Sequence, residues 1–213
     1  MARPIAVDYE NKRGAILRAA ARLFADEGYG RASMAEVARR CEISKANIYH
    51  YYPSKDALLF DILETHLRDL RDRVVGLSFD SDDPKDQLRA VITEILLAYQ
   101  GADAEHDVML SAMQALPPER QDQLRQYQRE FVAVGRDCIA AICPPEVAQD
   151  RSSLWAITMS VFGMLNWHYK WSGGADAATR RAHANLITDM VIGGVPNLVQ
   201  TNMLPESHHP KNS

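Results

Sequence analysis

The chain has 213 residues, 46% of them apolar and 24% charged, an ordinary globular balance that excludes disordered and low-complexity classes. Its three cysteines, Cys41, Cys138 and Cys143, are an odd set without paired-ligand spacing, which excludes a disulfide frame and reads as reduced thiols in a cytoplasmic protein. The net charge of −4 argues against a bulk nucleic-acid coat, but residues 1–55 hold ten Lys/Arg against six Asp/Glu and the remainder 14 against 22, so a basic head sits on an acidic body.

Helical spacing recurs along the chain and no stretch alternates for long, so the expected fold is all-α. The opening segment MARPIAVDYENKR lacks the apolar core of a signal peptide. Ile16, Ala19, Ala20, Leu23 and Phe24 form one face of a first helix that Gly28 closes. Ser33 and Glu36 have the spacing of a capping box for a short second helix bearing Val37, Ala38 and Cys41. Ser44 can cap a third helix from Lys45 to about Tyr51, which Pro53 forbids from continuing. Ser54 then caps a long fourth helix with Leu58, Leu59, Ile62, Leu63, Leu67 and Leu70 on one side.

The acidic stretch Ser78–Asp83 reads as a loop, and Pro84 suits the first turn of a fifth helix that stops at Gly101. A shorter helix around His106–Leu116 ends at Pro117-Pro118, and a long one through Leu124, Phe131 and Ile142 ends at Pro144-Pro145. Two more follow, roughly Ser153–Lys170 and Asp176–Ile192, each ended by a Gly-Gly pair. The Trp155–Trp167 stretch is too short and too polar to span a bilayer, so no membrane partner is expected. The domain reading is a DNA-binding head over 1–55, a helical body over 56–201, and a flexible tail over 202–213.

Ser33–Tyr52, SMAEVARRCEISKANIYHYY, places two short helices around the tight turn Glu42-Ile43-Ser44. That is the layout of a helix-turn-helix, in which the second helix enters the major groove of DNA. Lys45 and Asn47 fall in its first turn, where side chains reach base edges. The free amides at the helix starts near Ser33 and Ser44 suit phosphate oxygens, and Tyr49, His50 and Lys55 supply further donors. Periodicity alone is equally satisfied by a plain helical hairpin with solvated cations.

The string ILRAAARLFADEGYGRASMAEVARRCEISKANIYHYYPSKDALL, Ile16 to Leu59, resembles the DNA-binding domain of the TetR family of bacterial transcriptional repressors. Ala20, Leu23-Phe24, Gly28-Tyr29, Ser44, Tyr49, Tyr52 and Lys55-Asp56 carry the match. Cys41-Glu42 stands where Ala-Gly is common, at a position where Gly usually serves a left-handed backbone. The resemblance implies a homodimer on double-stranded DNA with a near-palindromic operator. By position it implies that Lys45, Ala46 and Asn47 face bases, while Ser33, Ser44, Tyr49, His50 and Lys55 hold phosphates.

In that family the helical remainder dimerises through its last two long helices and binds a small hydrophobic effector. Trp155, Met159, Phe162, Gly163, Met164 and Trp167 share one helix, as an interface would need; the same residues could equally form one subunit's core. Met109, Met113, Tyr127, Phe131, Phe162, Asn166, Trp167 and Lys170 are the candidate effector-binding residues. FGMLNWHYKWSGG, Phe162–Gly174, resembles a narrower branch that answers acyl-coenzyme A thioesters. A CoA effector would call for a cationic mouth, with Lys170, Arg180, Arg181 and Arg136 as candidates.

An enzyme or an all-helical adaptor are the readings from other classes. No metal-ligand spacing and no nucleophile beside a base stand out, and His208-His209 reads as a solvated pair. No cofactor and no metal are expected.

Overall fold

Helix after helix makes up the computed structural model, which describes residues 3–198, with side chains described from Tyr9 onward. The 202–213 tail and its His208-His209 pair lie outside the described residues. Among the described residues there are ten α-helices and no strand: α1 (Arg3–Glu27), α2 (Met34–Arg40), α3 (Lys45–Tyr51), α4 (Lys55–Val75), α5 (Pro84–Ala98), α6 (Asp103–Ala112), α7 (Pro118–Ile142), α8 (Pro145–Gln149), α9 (Arg151–Trp171) and α10 (Ala177–Gly194). None of them is long and apolar enough to cross a membrane.

The start and stop signals act as their chemistry requires. Gly28, at φ +85°, turns the chain off the end of α1, and its amide closes on the Phe24 carbonyl at 3.0 Å. Asp83 caps α5 by accepting from the Lys85 amide at 2.9 Å, with Pro84 in the first turn. Asp150 and Asp176 do the same for α9 and α10. Three expectations change. α1 starts at Arg3, well before Ile16 where the expected helix face begins. The sixth helix starts and stops earlier, giving way to a 3₁₀ turn at Met113–Ala115. The five-residue α8 fills a stretch read as a connection; Pro145 in its first turn was the available signal.

The described residues pack as two compact units, residues up to 69 with 101–128, and residues 70–100 with 129 onward. In the first unit α6 runs along α1. Leu23, Phe24, Val37, Ile48, Leu58, Leu59, Leu63 and Leu67 are buried at its centre. His66 and His106 are buried with them, ring centroids 5.8 Å apart and edge to face. Burial, and then the neighbouring His106, push the His66 imidazole down to about 3, so it is neutral at pH 7. In the second unit α10 packs along α5, and Leu88, Ile92, Ile95 and Leu96 are buried there with Ala184, Ile187 and Val191.

α2 ends in a Schellman motif. The Ile43 amide donates to the Ala38 carbonyl at 3.0 Å and the Glu42 amide to the Arg39 carbonyl at 3.2 Å. Glu42 takes the left-handed position, at φ +55°, which costs a side-chain-bearing residue roughly 1 kcal/mol. Ile48, with 0% of its surface exposed, gains about 2–3 kcal/mol by burial. The core contact outweighs the strain, and the turn keeps its shape with Glu where Gly is usual. Glu42→Gly is therefore expected to raise the unfolding free energy in urea by roughly 0.5–1 kcal/mol. A lowered midpoint would contradict the strained turn.

Candidate nucleic-acid interface

α3 is seven residues long, too short to hold its conformation in isolation. Its order comes from its ends and its one fully buried side chain, Ile48. At the start, the Ser44 hydroxyl accepts from the Asn47 amide at 3.1 Å. The remaining first-turn amides are unsatisfied within the helix and suit an anion outside it. Lys45, Ala46, Asn47, Tyr49 and His50 are all exposed. The sequence-read base-facing and phosphate-facing residues of this helix thus share one exposed surface, with Ile48 pointing the other way.

Ser33 caps α2 in the same way, accepting from the Glu36 amide at 3.2 Å. The return half of the expected capping box is replaced. The Glu36 carboxylate pairs with Arg39 at 2.5 Å and reaches Arg40 at 3.6 Å, and its pKa is lowered first by the Arg39 hydrogen bond. Arg40 also meets Glu27 at 2.8 Å and Asp26 at 3.4 Å, which ties α2 to the end of α1. Met34, beside the cap, is buried core, whereas Arg31 is exposed and donates to the Glu27 carbonyl at 2.6 Å.

Lys55 has a structural role that its sequence position did not announce. Its ammonium donates to the carbonyls of Tyr29 at 2.7 Å and Ala32 at 2.9 Å, and lies 4.4 Å from the centre of the Tyr29 ring. The Tyr29 hydroxyl in turn donates to Asp56. The physical reason is local: the loop between α1 and α2 turns its carbonyls toward the start of α4, and a cation there satisfies them. Lys55 locks the loop that presents Ser33.

Sequence reading also passes over the residues that fix the far end of α3. Tyr52, which caps it, donates its hydroxyl to Asp61 at 2.6 Å. Arg13 grips the same carboxylate with Nε at 3.0 Å and Nη2 at 2.5 Å, a two-pronged pairing of the stronger kind. Burial, then the bond to Asp61, pushes the Tyr52 phenol pKa up, so it stays a donor. The signal lay in Asp61, a carboxylate set directly between the apolar residues Phe60 and Ile62 of α4. Arg13, in the opening segment, is committed to this network.

The proposed effector residues divide between the two units. Met109, Met113 and Tyr127 belong to the first unit, the two methionines buried. Phe131, Phe162 and Asn166 belong to the second, where the two phenyl rings lie 5.9 Å apart and Asn166 accepts from the buried Tyr99 hydroxyl at 3.1 Å. Trp167, 61% exposed, and the exposed Lys170 sit on the outer side of α9; the helix period turns them away from Leu165 and His168, which are buried. Arg180 is the reverse case: read as part of a cationic mouth or a solvated face, it is fully buried, donating to the carbonyls of Ala175 at 3.0 Å and Leu96 at 3.5 Å. Arg181 is exposed, and Arg136 pairs with Asp137 at 2.7 Å. The three thiols are free, and burial raises the pKa of each.

Comparison with known proteins gives the family and the fold. A family model for bacterial regulatory proteins of the tetR family matches residues 16–62, and one for a tetracyclin repressor-like C-terminal domain matches residues 81–195. A crystal structure of a TetR-family transcriptional regulator from Bordetella parapertussis 12822 is 35% identical, with 91% of this chain and 100% of that one covered and a TM-score of 0.81. AibR in complex with isovaleryl coenzyme A and operator DNA is 26% identical over 84% of this chain and 97% of its own, with a TM-score of 0.70. The HTH-type transcriptional regulator YuxN of Bacillus subtilis (strain 168) is 34% identical over 84 residues, 39% of this chain and 29% of its own length. Against such curated relatives the chain spans less than half of their length.

The loop lock makes a measurable demand. Lys55→Met is expected to cost about 2 kcal/mol of unfolding free energy, the scale of two charge-assisted hydrogen bonds. A loss below roughly 0.5 kcal/mol in chemical denaturation, the range of an ordinary surface lysine, would return the ammonium to solvent.

Proposed function

The chain belongs to the TetR family of bacterial transcriptional regulators, and from that premise we propose that it is a ligand-responsive repressor acting as a homodimer on a near-palindromic operator. Residues 1–55 are the DNA-reading head and 56–201 the dimerising, effector-binding body. The observation that carries the reading is α3: a short helix with Ile48 inward and Lys45, Ala46, Asn47, Tyr49 and His50 outward. Lys45 and Asn47 approach base edges, and Ala46 adds an apolar contact. Tyr49, His50 and the amides at Ser33 and Ser44 meet phosphates. Such a protein works in the cytoplasm, where the DNA is.

Dimerisation is supported by the outer surface of α9 and α10. Trp155, Trp167, Trp171, Leu186 and Met190 are exposed there, more large apolar surface than a lone helix pair leaves to water. A groove of about 340 Å³ runs between the same helices, lined by Ser160, Met164, Val191 and Val195 among others. A two-fold dimer through this face sets two copies of α3 on successive turns of one DNA face.

The effector is a small hydrophobic molecule, with an acyl-CoA thioester as the leading class. Support comes from the Phe162–Gly174 string and from AibR, whose crystallised complex holds isovaleryl coenzyme A. The effector lowers operator affinity only as far as it binds one body conformation better than the other.

Fluorescence anisotropy with a duplex selected from a random pool tests the whole reading. Wild-type protein is expected to prefer that duplex to a scrambled one, and an acyl-CoA from a chain-length panel to release it. Asn47→Ala should lose roughly 5- to 100-fold at particular base pairs while keeping its grip on scrambled DNA. An equal loss on both would remove Asn47 from base reading. Selective binding that no thioester disturbs would keep the repressor and discard the CoA class.

A further inference from the structure

α1 begins at Arg3, several turns before its first core residue, Ile16. That early portion is not idle. The ring of Tyr9 stacks on Tyr51, the last residue of α3, with centroids 5.0 Å apart and planes 20° apart. One turn on, Arg13 holds Asp61, and Asp61 holds the hydroxyl of Tyr52. Tyr9 and Arg13 are four residues apart and so share a face of α1. Two consecutive residues at the end of α3 are thereby tied to two residues of one helix face.

The middle of α3 has no such tie. Between it and α1 lies a cavity of about 390 Å³, lined by Lys12, Ile16 and Ala19 on one side and Cys41, Ile43 and Asn47 on the other. α3 packs on α2 and fully buries only Ile48, and the cavity leaves room for the helix to shift on its α1 side. Fixing its direction takes further points of attachment. The aromatic stack at Tyr51 and the carboxylate bond at Tyr52 are those points.

We propose that Tyr9 and Arg13 are positioning residues for the recognition helix: they set the angle at which Lys45, Ala46 and Asn47 meet DNA, and through it the sequence selectivity. The assignment rests on the DNA reading given above. Tyr9 is exposed and its contribution is its ring face, so the phenyl of Phe can replace it. Removing the ring frees the end of α3 without removing a cation, so non-specific affinity and its salt dependence stay as they are.

The test compares wild type, Tyr9→Ala and Tyr9→Phe in the full chain, with Arg13→Gln as a second route to the same end. Amide hydrogen exchange at residues 48–52 reads the helix directly, without DNA. Anisotropy with the pool-selected and scrambled duplexes, over a salt series, reads its consequence. Tyr9→Ala is expected to speed exchange at those amides and to lower the selected-to-scrambled affinity ratio by about tenfold. The salt slope should be unchanged, and Tyr9→Phe should behave as wild type. Thermal unfolding of each variant separates a loosened α3 from a molten chain. Wild-type exchange and selectivity in Tyr9→Ala would overturn the proposal. So would a Tyr9→Phe as impaired as Tyr9→Ala, because the hydroxyl and not the stack would then be responsible. A wild type that binds both duplexes equally would sink the DNA reading and the selectivity claim with it, while the exchange data would still decide whether Tyr9 holds α3.

Discussion

The head of this protein depends on a helix that cannot support itself. α3 has two turns, one buried side chain and an outer surface that must stay polar. Nearly everything around it serves to hold those two turns still. Ser44 caps the first turn, the Schellman turn through Glu42 and Ile43 sets its entry, and Tyr52 closes its end on Asp61. Lys55 fixes the neighbouring loop by satisfying its carbonyls. In the proposed DNA reading a rigid presenter allows weak contacts to add, since each side chain would meet its base or phosphate already ordered.

Much of this was legible in the sequence because caps and breakers are local chemistry. Ser33, Ser44, Asp83 and the prolines act on neighbours within a few residues, so their effects follow from spacing alone. The all-α class and most helix limits come from the same source. What stayed hidden depended on distance along the chain. Arg13 and Asp61 are 48 residues apart, and Lys55 reaches back more than twenty to the Tyr29 and Ala32 carbonyls. No periodicity reveals that a surface-type lysine or arginine is spent on such a partner. Arg180 is the plainest example: its helix position reads as solvated, yet it is fully buried against two carbonyls.

The body divides more sharply between what pattern and packing each reveal. Aromatic enrichment in α9 pointed to an interface; of those residues Trp155 and Trp167 are exposed, whereas Phe162 is buried. Effector residues were chosen by type, as apolar side chains with a few polar companions, and type does not separate a lining from a core. Phe131 and Phe162 pack on each other, and Asn166 is occupied by Tyr99. A buried polar pair of this kind fixes side chains in place whether or not a ligand adds to it, so the effector class rests on kinship more than on the pattern of these residues.

The central claim is that two copies of α3 read one operator together. Sequencing the duplexes that the full chain enriches from a random pool, with the protein-to-DNA stoichiometry of the best of them measured by sedimentation, tests it most directly. The account predicts two protomers, or a multiple of two, on an inverted repeat whose half-sites lie about one helical turn, roughly 10 base pairs, apart. Enrichment of a single asymmetric site bound by one protomer, or no enrichment at all, would contradict it.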